Sequence, residues 1–336
     1  MRIIALITLL LVVSPIIADS TNNFSVSALF AYNKWRYANK RTYFSLEEQQ
    51  FRQQIFFETH ERIQNHNSNP EATYKLAHNQ FSDMPQEEFA SRVLMKSSQL
   101  IPRNAVQAQN NNSTTQQHTA QDVQLPASFD WRDYGILSDV KDQGQCGSCW
   151  AFSTTGILEA LYFMENRQKI SFSEQQLVDC ATNSNGFNSY GCSGGWPEEA
   201  LKYVAKFGIL KEEQYPYLAV DSKCKVSSPT SDGFKVQSFY FIDKTADALK
   251  NTVARIPVSV LVDASTWGSY SSGVYNGCGN TQTYNLNHAV VAIGYDEQGN
   301  WIIRNSWSTS WGMDGHMKLA PGNTCGILLS PLIAVR

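Results

Sequence analysis

The sequence predicts an α+β chain in two parts: a small helical unit, then a larger unit that joins a buried helix to a sheet. Three observations carry this. Apolar residues recur at helical spacing between Leu46 and His66. The stretch from Cys149 to about Met164 is apolar on most faces, and strand-like runs occupy 288–295 and 300–307.

In chain order, Arg2 precedes the apolar run Ile3–Val13, and Ala18 suits a cleavage site, the layout of a secretory signal peptide over 1–18. Pro15 and Asp19 break the run short of the roughly 20 apolar residues of a membrane span. No span is therefore expected after signal removal. Residues 28–38, with Leu29, Phe30, Trp35 and Tyr37, read as a first helix. In the second, Phe51, Ile55, Phe56, Thr59 and Ile63 form one face. Ser45 is its N-cap, with Glu48 completing a capping box. From Asn104 to Gln121 the chain turns polar and predicts a protease-accessible linker. It closes a first part over 19–124 and leaves 125–336 as the second. The sequons at Asn23, Asn111 and Asn112 all fall in the first part.

Hydrophobic residues at 42% and charged residues at 17% exclude a mainly disordered chain. Net charge is −3, and 125–336 carries 16 Lys+Arg against 20 Asp+Glu, net −4. No basic field exists to hold a nucleic acid. All seven cysteines lie at or beyond Cys146. In an oxidising compartment an odd count predicts disulfides plus one free thiol.

Cys149 stands at the start of the apolar helix. There the helix dipole and backbone N–H groups favour thiolate, the nucleophilic form. Such a nucleophile needs a group to manage its proton. Of six histidines, four precede residue 120, leaving His288 and His316. His288 opens one strand-like run, and a turn at 297–300 leads to the next, which brings Asn305 near it. An Asn oxygen there can fix the imidazole tautomer. The rival readings are a buried structural thiol, a redox pair of Cys146 and Cys149, and a zinc site. The sequence around Cys146 lacks a βαβ pattern, and the other cysteines do not recur as close pairs. No metal and no cofactor is expected.

These residues carry a resemblance. The second part is similar to the papain-like cysteine proteases over its whole length. The matching segments are the Gln143 segment, Cys146-Gly147-Ser148-Cys149-Trp150, Gly191-Cys192-Ser193-Gly194-Gly195, Asn287-His288-Ala289 and Asn305-Ser306-Trp307. His288 follows Cys149 by 139 residues and Asn305 follows it by 156. The first part resembles cathepsin L-type propeptides through Glu48, Arg52, Phe56, Ile63 and Asn67, with Thr59 where Asn is usual. Asn79-x-Phe81-x-Asp83 resembles their second motif, with Ala77 where Gly is usual.

The resemblance implies a two-lobed fold, a helical lobe with Cys149 facing a β-barrel-like lobe with His288 and Asn305. It implies a Cys149 thiolate paired with His288, Asn305 as orienter, and Gln143 with the Cys149 N–H as oxyanion donors. Trp307 would shield the His288–Asn305 bond, and His316 would be structural. Its disulfides pair Cys146 with Cys192, Cys180 with Cys224, and Cys278 with Cys325. Its S2 pocket falls on Pro197, Leu261, Leu286, Ala289 and Ser330, with Trp196 nearby, and favours Leu, Val or Phe at P2. Gly194 and Gly195 would let substrate backbone approach. Ser308 stands where Gly is usual, so either it is strained or the loop differs.

Taken together, these features imply a cysteine endopeptidase zymogen acting on proteins and peptides. Its propeptide is an intramolecular inhibitor lying through the cleft, released as acid weakens carboxylate contacts such as those of Asp83. Cleavage is expected within 104–124. A monomer in an acidic lysosome-like compartment or outside the cell is the default. The alternatives are an inactive homologue acting as a binding protein and an exopeptidase, which needs an insertion that 130–336 lacks.

Overall fold

The structure, a computed structural model, describes residues 26–96, 125–226, 233–278 and 285–336. The signal-peptide, sequon and polar-linker expectations lie outside the described residues.

The first part folds as helices α1 (Val26–Ala38) and α2 (Leu46–Ser68), strand β1 (Tyr74–Leu76) and helix α3 (Gln86–Arg92). Ala28, Tyr32 and Trp35 of α1 pack on Phe56 and Phe57 of α2 in a small aromatic core. Ser45 caps α2 by accepting from the Glu48 N–H, but the Glu48 carboxylate accepts from Phe44 N–H, one residue before the capping-box position. Phe51 is 51% exposed rather than on the buried face. Five residues place it about 140° round the helix from Phe56. Asn67 ties β1 to α2, donating to the Leu76 carbonyl and accepting from its N–H. Three residues are too few to show as a strand in the sequence.

The second part contains β2 (Phe129–Asp130), α4 (Cys149–Asn166), α5 (Glu174–Cys180), α6 (Pro197–Phe207), β3 (Ser238–Phe241) and α7 (Ala246–Val253). Then come β4 (Val258–Val262), β5 (Tyr270–Tyr275), β6 (His288–Tyr295), β7 (Trp301–Arg304), β8 (His316–Leu319) and β9 (Leu332–Val335). The sheet runs β1-β5-β8-β7-β6-β4-β9-β3, with β2 on β6. The described pairs are antiparallel except β5 with β8. The first part thus contributes an edge strand to the second part's sheet.

Each helix start follows local chemistry. Ser173 caps α5, Thr245 caps α7, and Pro197 takes the first position of α6, where its missing N–H costs nothing. Every α4 residue from Cys149 to Ala160 is buried, as is every residue of β6. A strand covered on both faces reads as a continuous apolar run rather than an alternation. Helix and strand are joined by Ser153, whose hydroxyl donates to the Val290 carbonyl at 2.8 Å. One core lies among α4, α5 and α6. A second surrounds Trp267, Trp307 and Trp311 within the strands. Disulfides join Cys146 to Cys192, Cys180 to Cys224, and Cys278 to Cys325, leaving Cys149 free and buried.

Candidate active site

The β6–β7 pairing sets Val291 opposite Arg304, so Asn305, one residue past β7, falls beside His288 at the start of β6. Asn305 Oδ1 lies 2.8 Å from His288 Nε2 and also accepts the Ser306 N–H at 2.8 Å. An atom that accepts a backbone N–H is the amide oxygen, so His288 Nε2 carries the proton and Nδ1 is the bare basic nitrogen. Nδ1 is buried and has no hydrogen-bond partner among the described residues. The Trp307 ring stacks on the imidazole with centroids 4.7 Å apart.

Cys149 is the first residue of α4 and is fully buried. Burial pushes its thiol up to about 12, outweighing the N–H groups of Ala289, Trp150 and Cys149 itself, which pull it down. Burial likewise pushes His288 down to about 4, against the Asn305 hydrogen bond. Burial thus opposes the charged form of both groups in this state. The helix-start argument favours thiolate, and burial works against it.

The cover is residues 93–96. Gln143 Nε2 donates to the Val93 carbonyl at 2.8 Å, Met95 N–H to the Asn287 carbonyl at 2.8 Å, and Lys96 N–H to the Ser193 carbonyl at 2.9 Å. Phe81 and Phe89 meet the Trp307 ring edge-on at 5.5 and 5.4 Å between centroids. A chain segment thus fills a cleft that holds a thiol, an imidazole and an aimed amide donor.

Residues 125–335 match the model of the papain family cysteine proteases, and residues 32–89 that of the cathepsin propeptide inhibitor domain (I29). Cathepsin L 1 of Paramecium tetraurelia is 40% identical over 304 residues, 89% of this chain and 90% of that protein. A cathepsin L-like proteinase of Fasciola hepatica is 39% identical over 312 residues, 88% and 90% of the two chains. The solved digestive procathepsin L2 proteinase from Tenebrio molitor larval midgut superposes with a TM-score of 0.81 at 35% identity, covering 92% of this chain and all of that one. This chain belongs to the papain family of cysteine proteases. It is a cathepsin L-like peptidase whose I29 domain is an intramolecular inhibitor, and its disulfides fit a secretory route.

In this papain-family zymogen Met95 is buried in the same cluster as Leu261 and Ala289, with Trp196 and Leu286 packed against it. Pro197 and Ser330 are buried too. The two glycines expected to admit substrate backbone divide. A β-carbon on Gly194 would lie 3.0 Å from the Met95 β-carbon, at the cleft. One on Gly195 would fall 2.6 Å from the Trp150 ring and from Ser189 Oγ, so Gly195 is required by the interior instead. The backbone of Met95 and Lys96, just past the I29 match, pairs with the Asn287 and Ser193 carbonyls. Ser308 has φ +66°, the strained alternative, with its N–H on the Lys141 carbonyl at 3.0 Å. His316 is buried in β8, with Nδ1 2.9 Å from the Asp314 carbonyl.

Asp83, the candidate for the acid-weakened contact, has its pKa raised rather than lowered. It accepts from Tyr43 at 2.9 Å and faces Arg41, yet burial outweighs these partners and raises its pKa. A carboxyl whose pKa is raised in the folded first part takes up its proton more readily there, so acid does not weaken that part through Asp83.

Sequence reasoning missed two features. Ser306 Oγ donates to Gln143 Oε1 at 2.7 Å and turns the amide nitrogen outward. Lys141, two residues before Gln143, reaches Glu159 at 2.7 Å and Glu174 at 2.6 Å in the interior. Burial raises the pKa of Glu174 against the pull of Lys141. The available signal was Glu159 itself, an acid within an otherwise apolar helix.

Proposed function

We propose that Cys149, His288, Asn305 and Gln143 perform peptide-bond hydrolysis once the I29 domain leaves. Water then enters, and the burial that opposes the charged forms of Cys149 and His288 weakens. The Cys149 proton passes to the bare His288 Nδ1, giving thiolate and imidazolium. The thiolate attacks the scissile carbonyl carbon, and the resulting oxyanion is received by Gln143 Nε2 and the Cys149 N–H. His288 gives its proton to the leaving amine, and a thioester forms. Water, deprotonated by His288, then releases the acid product and the thiol. Asn305 holds the tautomer throughout, and Trp307 keeps water from their bond.

The single observation that carries this reading is the tautomer: Nε2–H committed to Asn305, leaving Nδ1 as the base. Specificity follows from the apolar surroundings of Met95: Leu261 and Ala289 favour Leu, Val or Phe at P2, because an unpaired charge buried there is costly. Maturation removes the residues ahead of about 125 by cleavage within 104–124 and proceeds in acid, in a lysosome-like compartment or outside the cell. The test follows a fluorogenic Leu-Arg peptide with the purified zymogen and a thiol reductant at about pH 4.5 and about pH 7, beside Cys149→Ala. Activity that follows acid processing and is absent in the variant is expected. A cleanly processed protein without activity would point to a binding role.

A further inference from the structure

Gln80 lies between β1 and α3, and both ends of its carboxamide are held by the loop after Asn305. Nε2–H donates to the Trp307 carbonyl at 2.7 Å, and Oε1 accepts from Ser310 Oγ at 3.2 Å. The Gln80 backbone carbonyl is anchored separately by the Arg41 guanidinium. Where Asp and Glu are ionised, a carboxamide alone among side chains presents an N–H donor and a two-lone-pair carbonyl acceptor on one planar group. A carboxylate has no donor for the Trp307 carbonyl, and an ammonium has no acceptor for Ser310.

The receiving groups are fixed by packing and backbone. The Trp307 ring is buried between His288, stacked at 4.7 Å, and Trp311, edge-on at 5.0 Å. Ser308, between the two receiving residues, turns the chain at φ +66° and is bonded to the Lys141 carbonyl. Ser310 is exposed even with the I29 domain docked. In the mechanism above His288 protonates the leaving amine. The loop stacked on His288 therefore borders the leaving-group half of the cleft.

We propose that the Trp307 carbonyl and the Ser310 hydroxyl form a primed-side subsite that selects a carboxamide side chain, glutamine first, in protein substrates. Ser310 is then a specificity-determining residue, and Gln80 occupies its subsite in the zymogen. The inference rests on the reading of Cys149 and His288 as the peptidase centre.

The test uses acid-processed enzyme and quenched fluorescent peptides with Leu at P2. Ala, Gln, Asn, Glu, Leu or Lys is placed in turn at each of the first three positions after the scissile bond. Gln is expected to raise kcat/KM about 3- to 10-fold over Ala at one of them, the yield of one or two exposed hydrogen bonds, while Glu does not. Ser310→Ala should bring that ratio close to one, and Ser310→Thr, which keeps the hydroxyl, should retain it. Equal rates for Gln and Ala at all three positions, or a Gln preference that survives Ser310→Ala, overturn the subsite and leave peptide hydrolysis standing. No cleavage of any peptide by processed enzyme overturns the peptidase reading itself.

Discussion

Gln143 Nε2 and the Val93 carbonyl oxygen lie 2.8 Å apart, so the segment just past the I29 match holds the amide proposed above as the oxyanion donor. Burial in the covered cleft raises the Cys149 thiol and lowers the His288 imidazole.

Gln143→Ala should lower kcat by about 10²–10³ with little change in KM, because the donor acts on charge that develops only in the transition state. Steady-state kinetics of processed enzyme checks this; a change confined to KM contradicts it.

Ser306→Ala removes the hydroxyl that orients the Gln143 amide. One net hydrogen bond amounts to about 1 kcal/mol, so kcat should fall roughly 5-fold while the pH profile is unchanged. A shifted acidic limb would instead place Ser306 in control of His288.

We propose that acid acts through His78 rather than Asp83. His60 Nδ1 and His78 Nε2 are 2.9 Å apart, His78 stacks on Phe56 at 4.1 Å, and its Nδ1 meets Ser82 Oγ at 3.1 Å. Burial pushes His78 down to about 4, helped by His60 and Arg62. With its pKa lowered on folding, His78 supports the docked domain fully above about 6.5, and that support is lost as pH falls towards 4. His78→Gln should therefore move the midpoint of autoprocessing to lower pH. An unchanged rate–pH profile would refute the role.

Phe89→Ala removes a ring that is 3% exposed and packed on Trp307. Losing a buried aromatic costs about 3–5 kcal/mol, so the zymogen should show at least tenfold more activity before processing. Measured leak equal to that of the parent zymogen would mean that the Trp307 contact contributes little.

Much of this arrangement was legible because it is local or periodic. The α2 spacing, the apolar α4 and the β6–turn–β7 sequence are local signals that put Cys149 at a helix start and Asn305 near His288, whereas the pairing of Cys149 with His288 rests on the family resemblance. What escaped depends on tertiary approach. Nothing near Asn67 announces a three-residue strand whose partner is β5, about 200 residues away. The burial of Cys149 escaped for the same reason: a helix start is read locally, whereas the residues packed over it are brought in by tertiary approach. Ser308 was legible as a departure, since a residue at φ +66° stands where glycine is usual.

The central claim is that Cys149 is a nucleophile silenced by the docked domain. Its most direct test is the rate of Cys149 alkylation by iodoacetamide against pH, compared in zymogen and acid-processed enzyme. The processed enzyme should react with a thiolate titration well below the about 8.5 of a free cysteine, and the zymogen should stay unreactive to well above it. Identical profiles in the two forms would contradict the account.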